Sequence, residues 1–559
     1  MNFFDYYNML QLKKVLIIFN VFLLFSCIKK NNKDEQLNLL LLYYLLNQPE
    51  PLSITCEDIP ANQPTTTITT LTEDCSINSD TLYSLQWHFT KINMGTSWQS
   101  YCGSNISISV IDDGIEINHE DLTANIEPSK GYDYSDNDTD PTGNPSLDDS
   151  MHGTAVSGLI AAKDNTLGVR GVAPRSKLRG YNAIKTGFTS NIIDATKRDI
   201  QNIWISNNSW GPPDGTGYLI GSDSLWQLAV EEGLTSGRFG LGTIYVFAAG
   251  NGAYYTYNNT SYYADNSNYD GYSNYHGVIS VCAVGDNNVK ASYSEKGANL
   301  WLCAPSMGDN QNGLVTTDLT GSNGLNSKYY GATDLPNTNY TKNFNGTSGS
   351  TPIVSGAIAL MLQANPTLTW RDVRYILAKT TQKNDPTDSN WTTNAAGIKI
   401  NHKYGFGLLN VSYAVNTAKT WTNFGGYRKC VIRNIPVYKD IVDNGPATIN
   451  EFDASFTGIK KIEWVDATVH LNHGYWGDLL IQLYSPSGTE AILMEPHNCS
   501  NGNGTRTECQ TGNMDWRFGI ARFLDETAEG KFRISVQDKA VQDAGYFKKW
   551  DLTIYGRTN

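Results

Sequence analysis

The chain has 559 residues, 55 acidic and 42 basic side chains, a formal net charge of −13 and a pI near 5.1. That length implies more than one hydrophobic core, and the negative balance argues against nucleic acid and suits a cationic partner. With 32 tyrosines, nine cysteines and only 17% charged residues, the composition points to an irregular surface of the secreted type.

At the N-terminus Lys13 and Lys14 precede the run Val15 to Phe25, apolar except for Asn20, and then Ser26 and Cys27. The run is too short to span a bilayer and has the layout of a signal peptide. Leu24-Phe25-Ser26-Cys27 resembles a bacterial lipobox. Residues 1–26 are therefore expected to be removed, and Cys27 to carry lipid that anchors the exported protein to a bacterial cell membrane, on its periplasmic or surface face. Without Cys27 the cysteine count is even, which suits disulfides. Cys56 with Cys75 and Cys499 with Cys509 are the local pairs expected, although spacing does not fix connectivity. Residues 27–79 read as a polar tether, interrupted by the apolar octapeptide Leu39 to Leu46, and carry no Lys or Arg after Lys33.

From Asp80 to about residue 420, strand-like runs (Ile106 to Ile111, Thr243 to Ala248, Val278 to Val284) alternate with helical ones. This predicts a doubly wound parallel α/β sheet with its site at the strand C-ends. The first run ends in Asp112-Asp113-Gly114, and His152-Gly153-Thr154-Ala155 opens an apolar helix. Asn345 to Pro352 is a Gly-rich turn entering a helix too apolar to lie on a surface, which sets Ser348 at the positive end of a buried helix. Backbone N–H groups there are free to bind an oxyanion. Thr369 and Asp372 predict a capped helix start. From about Gly425 the pattern changes to short alternating strands (Ile459 to Leu471, Leu479 to Tyr484, Phe532 to Gln537, Trp550 to Tyr555), an all-β sandwich over 425–559.

An acid, a histidine and a serine in the order Asp112, His152, Ser348 match the order of subtilisin. The segments VIDDGIEINHEDL, HGTAVSG, SWGP, AAGNG and GTSGSTP resemble the subtilisin-like serine proteases, most closely their kexin and furin branch. Gly477-Asp478-Leu479, Ser485 to Thr489 and Tyr546 to Gly556 resemble the P domain, a jelly-roll sandwich that follows those catalytic domains. The resemblance implies a calcium-dependent serine endopeptidase cutting proteins or peptides after paired basic residues, most simply as a monomer. Asp112, His152 and Ser348 would form the triad and Asn251 the oxyanion-hole side chain. Ser209, Trp210, Gly211 and Pro212 would form a pocket wall, Asp214 and Asp270 the base of S1, and Tyr272 part of S4. Asp113 and Asp149 would meet a basic P2 residue. Pro213 and Ile220 stand where furin carries acids for a P4 arginine, so P4 is expected to be indifferent or apolar.

The same resemblance implies three calcium sites. The first would use Asp80, Asp121 and Asn165 with the carbonyls of Lys163, Leu167 and Val169. The second would use Asp214, Asp265 and Glu295, and the third Asp133, Asp138 and Asp140. Competing readings are a subtilisin-like protease of broad specificity, and a catalytically silent surface protein that binds through its sandwich.

Overall fold

The computed structural model describes residues 50–65, 79–143, 151–502 and 505–559. Cys27, the Leu39 to Leu46 octapeptide, Cys75 and Asp149 lie outside the described residues. Among the described residues no helix is long and apolar enough to cross a membrane.

Strands such as Ser107–Asp112, Ile244–Ala248 and Val278–Val284 are rich in β-branched residues and buried at every position. Such strands need cover on both faces, which a parallel sheet with crossover helices supplies. They lie in a seven-stranded sheet ordered Leu302–Pro305, Val278–Val284, Ile244–Ala248, Ile205–Asn208, Ser107–Asp112, Lys177–Asn182, Tyr132–Asp133. All neighbouring pairs run parallel. The strand order reverses at Ser107–Asp112, so Asp112 marks the topological switch where such sheets hold their ligands.

Two helices, His152–Ala161 and Thr347–Ala364, pack together beside this point. The second is buried at every residue from Thr347 to Gln363. Its small residues allow that depth: a Cβ at Gly356 would meet the Val172 side chain at 2.6 Å. Pro352 falls in the second turn rather than the first, and its missing N–H leaves the Ser348 carbonyl without an intrahelical partner. The Ser209 hydroxyl donates to that carbonyl at 3.1 Å. The predicted start of the next helix is present as a capping box between Thr369 and Asp372.

The C-terminal strands form a sandwich of a five-stranded and a four-stranded antiparallel sheet around Leu479, Ile481, Phe518, Phe532, Trp550 and their neighbours. It packs onto the α/β body through polar and aromatic contacts. Arg371 forks onto Glu463 at 2.6 and 2.8 Å, and the Arg374 guanidinium lies between the rings of Trp301 and Trp464.

The tether expected over 27–79 is corrected in its second half. Ser53–Ile59 is an edge strand of the sandwich, paired antiparallel with Tyr427–Ile441 and joined to it by the Cys56–Cys430 disulfide. Beyond it, the Asn62 side chain donates to the carbonyls of Leu234 and Gly240. The strand is exposed on both faces, so it has no alternation for a sequence reading to detect. The Cys56–Cys75 pairing is therefore wrong, whereas Cys499–Cys509 is present, with Cys282–Cys303 as a further bond.

Candidate active site

Asp112 ends its strand fully buried, and its Oδ1 accepts from His152 Nδ1 at 2.8 Å and from the Asp113 amide at 2.9 Å. His152 opens its helix, and the helix is drawn tight against the strand: a Cβ on Gly153 would meet the Gly114 carbonyl at 2.1 Å. Burial lowers the His152 pKa, but the Asp112 charge and hydrogen bond, with the charge of Asp113, outweigh it and raise the ring to about 9. Phe344 packs on the imidazole with centroids 5.5 Å apart.

Ser348 lies in the first turn of its helix, behind Gly346, whose φ of 80° is the left-handed region open to glycine. Its Oγ donates to the Ser209 carbonyl at 3.1 Å rather than to His152. Serine and histidine line one cleft, together with Asn251. The Asn251 Oδ1 accepts from the amide and hydroxyl of Thr347 at 2.7 and 2.9 Å, which leaves Nδ2 turned to the cleft and to Asp214.

On one side of Ser348 opens a cavity of about 210 Å³ whose wall includes Ser209, Trp210, Gly211, Pro212, Asp214, Asp270 and Asn251. Burial raises the Asp270 carboxyl to about 6, against hydrogen bonds from the amides of Tyr272 and Ser273. Tyr272 itself stacks edge-on with Trp210 and Trp226. Asp113 is buried and caps the helix that His152 opens, accepting from the amides of His152 and Gly153 at 3.2 and 2.8 Å. Its pKa rises to about 7 through burial and the Asp112 charge.

Comparison with known proteins gives the family. Residues 103–407 match the model for the subtilase family and residues 462–554 that for the proprotein convertase P-domain. The chain belongs to the subtilase family. It is 32% identical over 501 residues to human proprotein convertase subtilisin/kexin type 7, covering 86% of this chain and 60% of that one. Human furin is 31% identical over 495 residues, covering 86% and 58%. The chain thus spans about three fifths of the length of these relatives. The crystal structure of a serine protease of Aeromonas sobria superposes with a TM-score of 0.74 at 26% identity, covering 86% of this chain and 96% of that one.

The calcium ligands expected of a kexin-like subtilase fare unequally. In the first set both Asp80 oxygens are taken: Oδ1 by the amides of Asn165 and Thr166, Oδ2 by Arg170 Nε at 2.7 Å. Arg170 is buried and lies over the rings of Tyr83 and Trp98. The Asn165 Oδ1 accepts from the Leu167 amide, and the Asp121 Oδ2 from the Val169 amide. The amide of Lys163 bonds the Asp121 carbonyl, whereas the carbonyls of Lys163, Leu167 and Val169 accept no hydrogen bond among the described residues and the Asp121 Oδ1 stands buried without a partner. The oxygens expected of a first calcium site are therefore present, with the Arg170 guanidinium on Asp80 already supplying one positive charge there. In the third set Asp133 accepts from Asn182 Nδ2 and the Ser135 amide, while Asp138 and Asp140 close turns onto the amides of Asp140 and Thr142. Those carboxylates are used by neighbouring amides and, at Asp133, by Asn182 on the adjacent strand.

The second set is a cluster of buried, mutually repelling acids, although its three carboxylates do not all come within 4.8 Å of one another. Asp265 accepts from the amides of Gly215, Thr216 and Gly217, and Glu295 from that of Gly252 at 3.0 Å. Burial and mutual repulsion with Asp214 raise Asp265 to about 7 and push Glu295 well above the usual carboxylate range. No Lys or Arg forms an ion pair with these three acids among the described residues. Such a cluster suits a hard divalent cation. Arg170 is the residue that sequence reasoning missed. The signal was a lone arginine two positions beyond Gly168 in a loop otherwise read for oxygen ligands.

Proposed function

We propose that this subtilase is a serine endopeptidase that hydrolyses peptide bonds after basic residues, with paired Lys-Arg or Arg-Arg preferred. The observation that carries the reading is the convergence on one cleft of the His152–Asp112 pair, Ser348 at the head of a buried helix, and Asn251. A rotation about χ1 takes the Ser348 hydroxyl from the Ser209 carbonyl toward the imidazole. His152 then removes its proton as Oγ attacks the carbonyl carbon, and Asp112 holds the tautomer and stabilises the imidazolium. The Asn251 Nδ2 and the N–H groups at the helix start would receive the oxyanion, a donor of this kind being worth about 3 kcal/mol in subtilisin. The imidazolium returns the proton to the leaving amine, and water repeats the sequence on the acyl-enzyme.

Asp214 and Asp270, on the cavity beside Ser348, supply carboxylates for a guanidinium or ammonium at P1. Asp113 adds negative charge near P2, while Ile220 and Pro213 offer none for P4, which should be indifferent or apolar. Calcium held by Asp214, Asp265 and Glu295 would neutralise acids that otherwise repel one another beneath the pocket. The disulfides Cys56–Cys430, Cys282–Cys303 and Cys499–Cys509 support export to an oxidising compartment, where Cys27 would serve as the lipid anchor.

The test is labelling with a fluorophosphonate probe together with hydrolysis of a Lys-Arg peptide. Both are expected in the wild type, and Ser348→Ala should lose both. Labelling that survives Ser348→Ala would refute the assignment.

A further inference from the structure

A second cavity, of about 390 Å³, opens from Ser348 away from the acid-walled pocket, and His152 lines it as well. His152 is absent from the wall of the first cavity. That difference sets the direction of a bound peptide. The acyl half stays on Ser348, whereas the leaving amine takes its proton from His152 and must stand on the imidazole side. The cavity shared with His152 therefore receives the residues that follow the cut.

Its lining is aromatic and aliphatic: Tyr293, Leu325, Tyr330 and Phe344, with asparagines and a glycine making up the rest. Among the described residues no Asp, Glu, Lys or Arg lines it, in contrast to the four carboxylates around the first cavity, Asp214, Asp265, Asp270 and Glu295. Leu325 and Tyr330 come from the long excursion between the paired strands Leu314–Thr317 and Tyr340–Phe344. The excursion is held in place from within. The Asp318 carboxylate accepts from the amides of Leu319, Leu325 and Asn326, and Asn326 Nδ2 donates to the carbonyls of Leu335 and Tyr340 at 2.8 Å. Tyr293 is fixed too, its hydroxyl donating toward Ser306 Oγ and the Met307 carbonyl and accepting from the Gly346 amide.

We infer that this excursion builds a subsite for an apolar or aromatic side chain in the first two residues after the cleaved bond. The substrate class then changes character across the bond, basic before it and apolar after it. A charged side chain placed there would lose its hydration and gain no ion pair, whereas an apolar one gains burial against the rings.

The inference rests on the endopeptidase reading, and its test separates the two. Full-length protein is given peptides with Lys-Arg at P2-P1, and P1′ and P2′ are varied separately among Leu, Phe, Gly, Asp and Lys. At one of the two positions kcat/KM should favour Leu or Phe over Asp and Lys at least tenfold. The ratio of Phe to Gly at that position should shrink severalfold in Leu325→Ala and in Tyr330→Ala. A wild-type profile flat at both positions, or one favouring a charge, overturns the subsite and leaves the protease reading intact. Hydrolysis of no peptide overturns both, and the wild-type series decides even if a variant misfolds.

Discussion

His152 sits between two opposed influences, burial that disfavours its charge and the carboxylates of Asp112 and Asp113 that favour it. The general base must be neutral, so raising its pKa moves the loss of activity on acidification toward higher pH. The acid limb of kcat/KM should therefore lie above the ordinary histidine value of 6.5. Asp112→Asn should bring it back to 6.5 or below while kcat falls by about 10⁴. A limb unmoved by Asp112→Asn would show that the titrating group is another. These residues were legible in the sequence because they stand in motifs whose glycines are needed, for close approach at Gly153 and for a positive φ at Gly346. Arg170 was not. Acid spacing in its loop reveals a demand for positive charge, but a metal and a guanidinium meet that demand equally, and only the fold brings Arg170 back onto Asp80.

Among the elements, the buried strands and the capped helix were readable because their burial leaves a period or an apolar run in the sequence. The Ser53–Ile59 edge strand and the hairpin Tyr254–Tyr257 with Thr260–Tyr263 left none, since both expose residues on each face. The hairpin turns at Asn258 and Asn259, both at positive φ. It links two site loops, those of Asn251 and Asp265, and the loops carrying Asp214, Asp265 and Glu295 have a consequence for stability. Each raised carboxyl binds a proton more tightly folded than unfolded. Its folded-state penalty is absent below the unfolded pKa and grows as pH rises toward the folded one. Metal-free protein should therefore melt at progressively lower temperature from about pH 4 to about pH 7, the interval set by Asp265. Calcium should flatten that slope by neutralising the cluster and adding stability through mass action. Elemental analysis should find calcium bound to the purified chain. No bound calcium, or a melting temperature indifferent to chelator across this range, would contradict the assignment. Arg170→Ala should cost about 3–5 kcal/mol, as breaking a buried pair strands Asp80.

At the scale of the whole molecule, the sandwich does more than cover an apolar face of the α/β body. His497, Ser500 and Gln510, around the Cys499–Cys509 disulfide, grip the loop that carries Asp214. His497 Nε2 donates to the Gly217 carbonyl at 2.9 Å, the Ser500 amide to that of Thr216 at 3.0 Å, and the Ser500 hydroxyl to that of Gly215. Gln510 receives the Leu219 amide at 2.8 Å. The fit is close enough that a Cβ at Gly217 would lie 2.5 Å from the Asn498 carbonyl and 2.9 Å from the Cys499 sulfur. The opposite edge of this loop holds Asp265 through the amides of Gly215, Thr216 and Gly217. One short segment is thus fixed by the sandwich on one side and by the acid cluster on the other. No pattern in the sequence reveals this, because the acceptors are backbone carbonyls nearly 300 residues from the groups that bind them. Removing two of the side-chain bonds, with Ser500→Ala and Gln510→Ala together, forfeits about 1 kcal/mol each. The pocket wall should loosen while the triad, built on other elements, stays as it is. The expected outcome is a KM for basic-P1 peptides raised about tenfold, with the rate of fluorophosphonate labelling at Ser348 changed less than twofold. A parallel fall in both rates would mean that the sandwich stabilises the whole domain rather than the pocket. An unchanged KM would mean that the loop holds its shape without it.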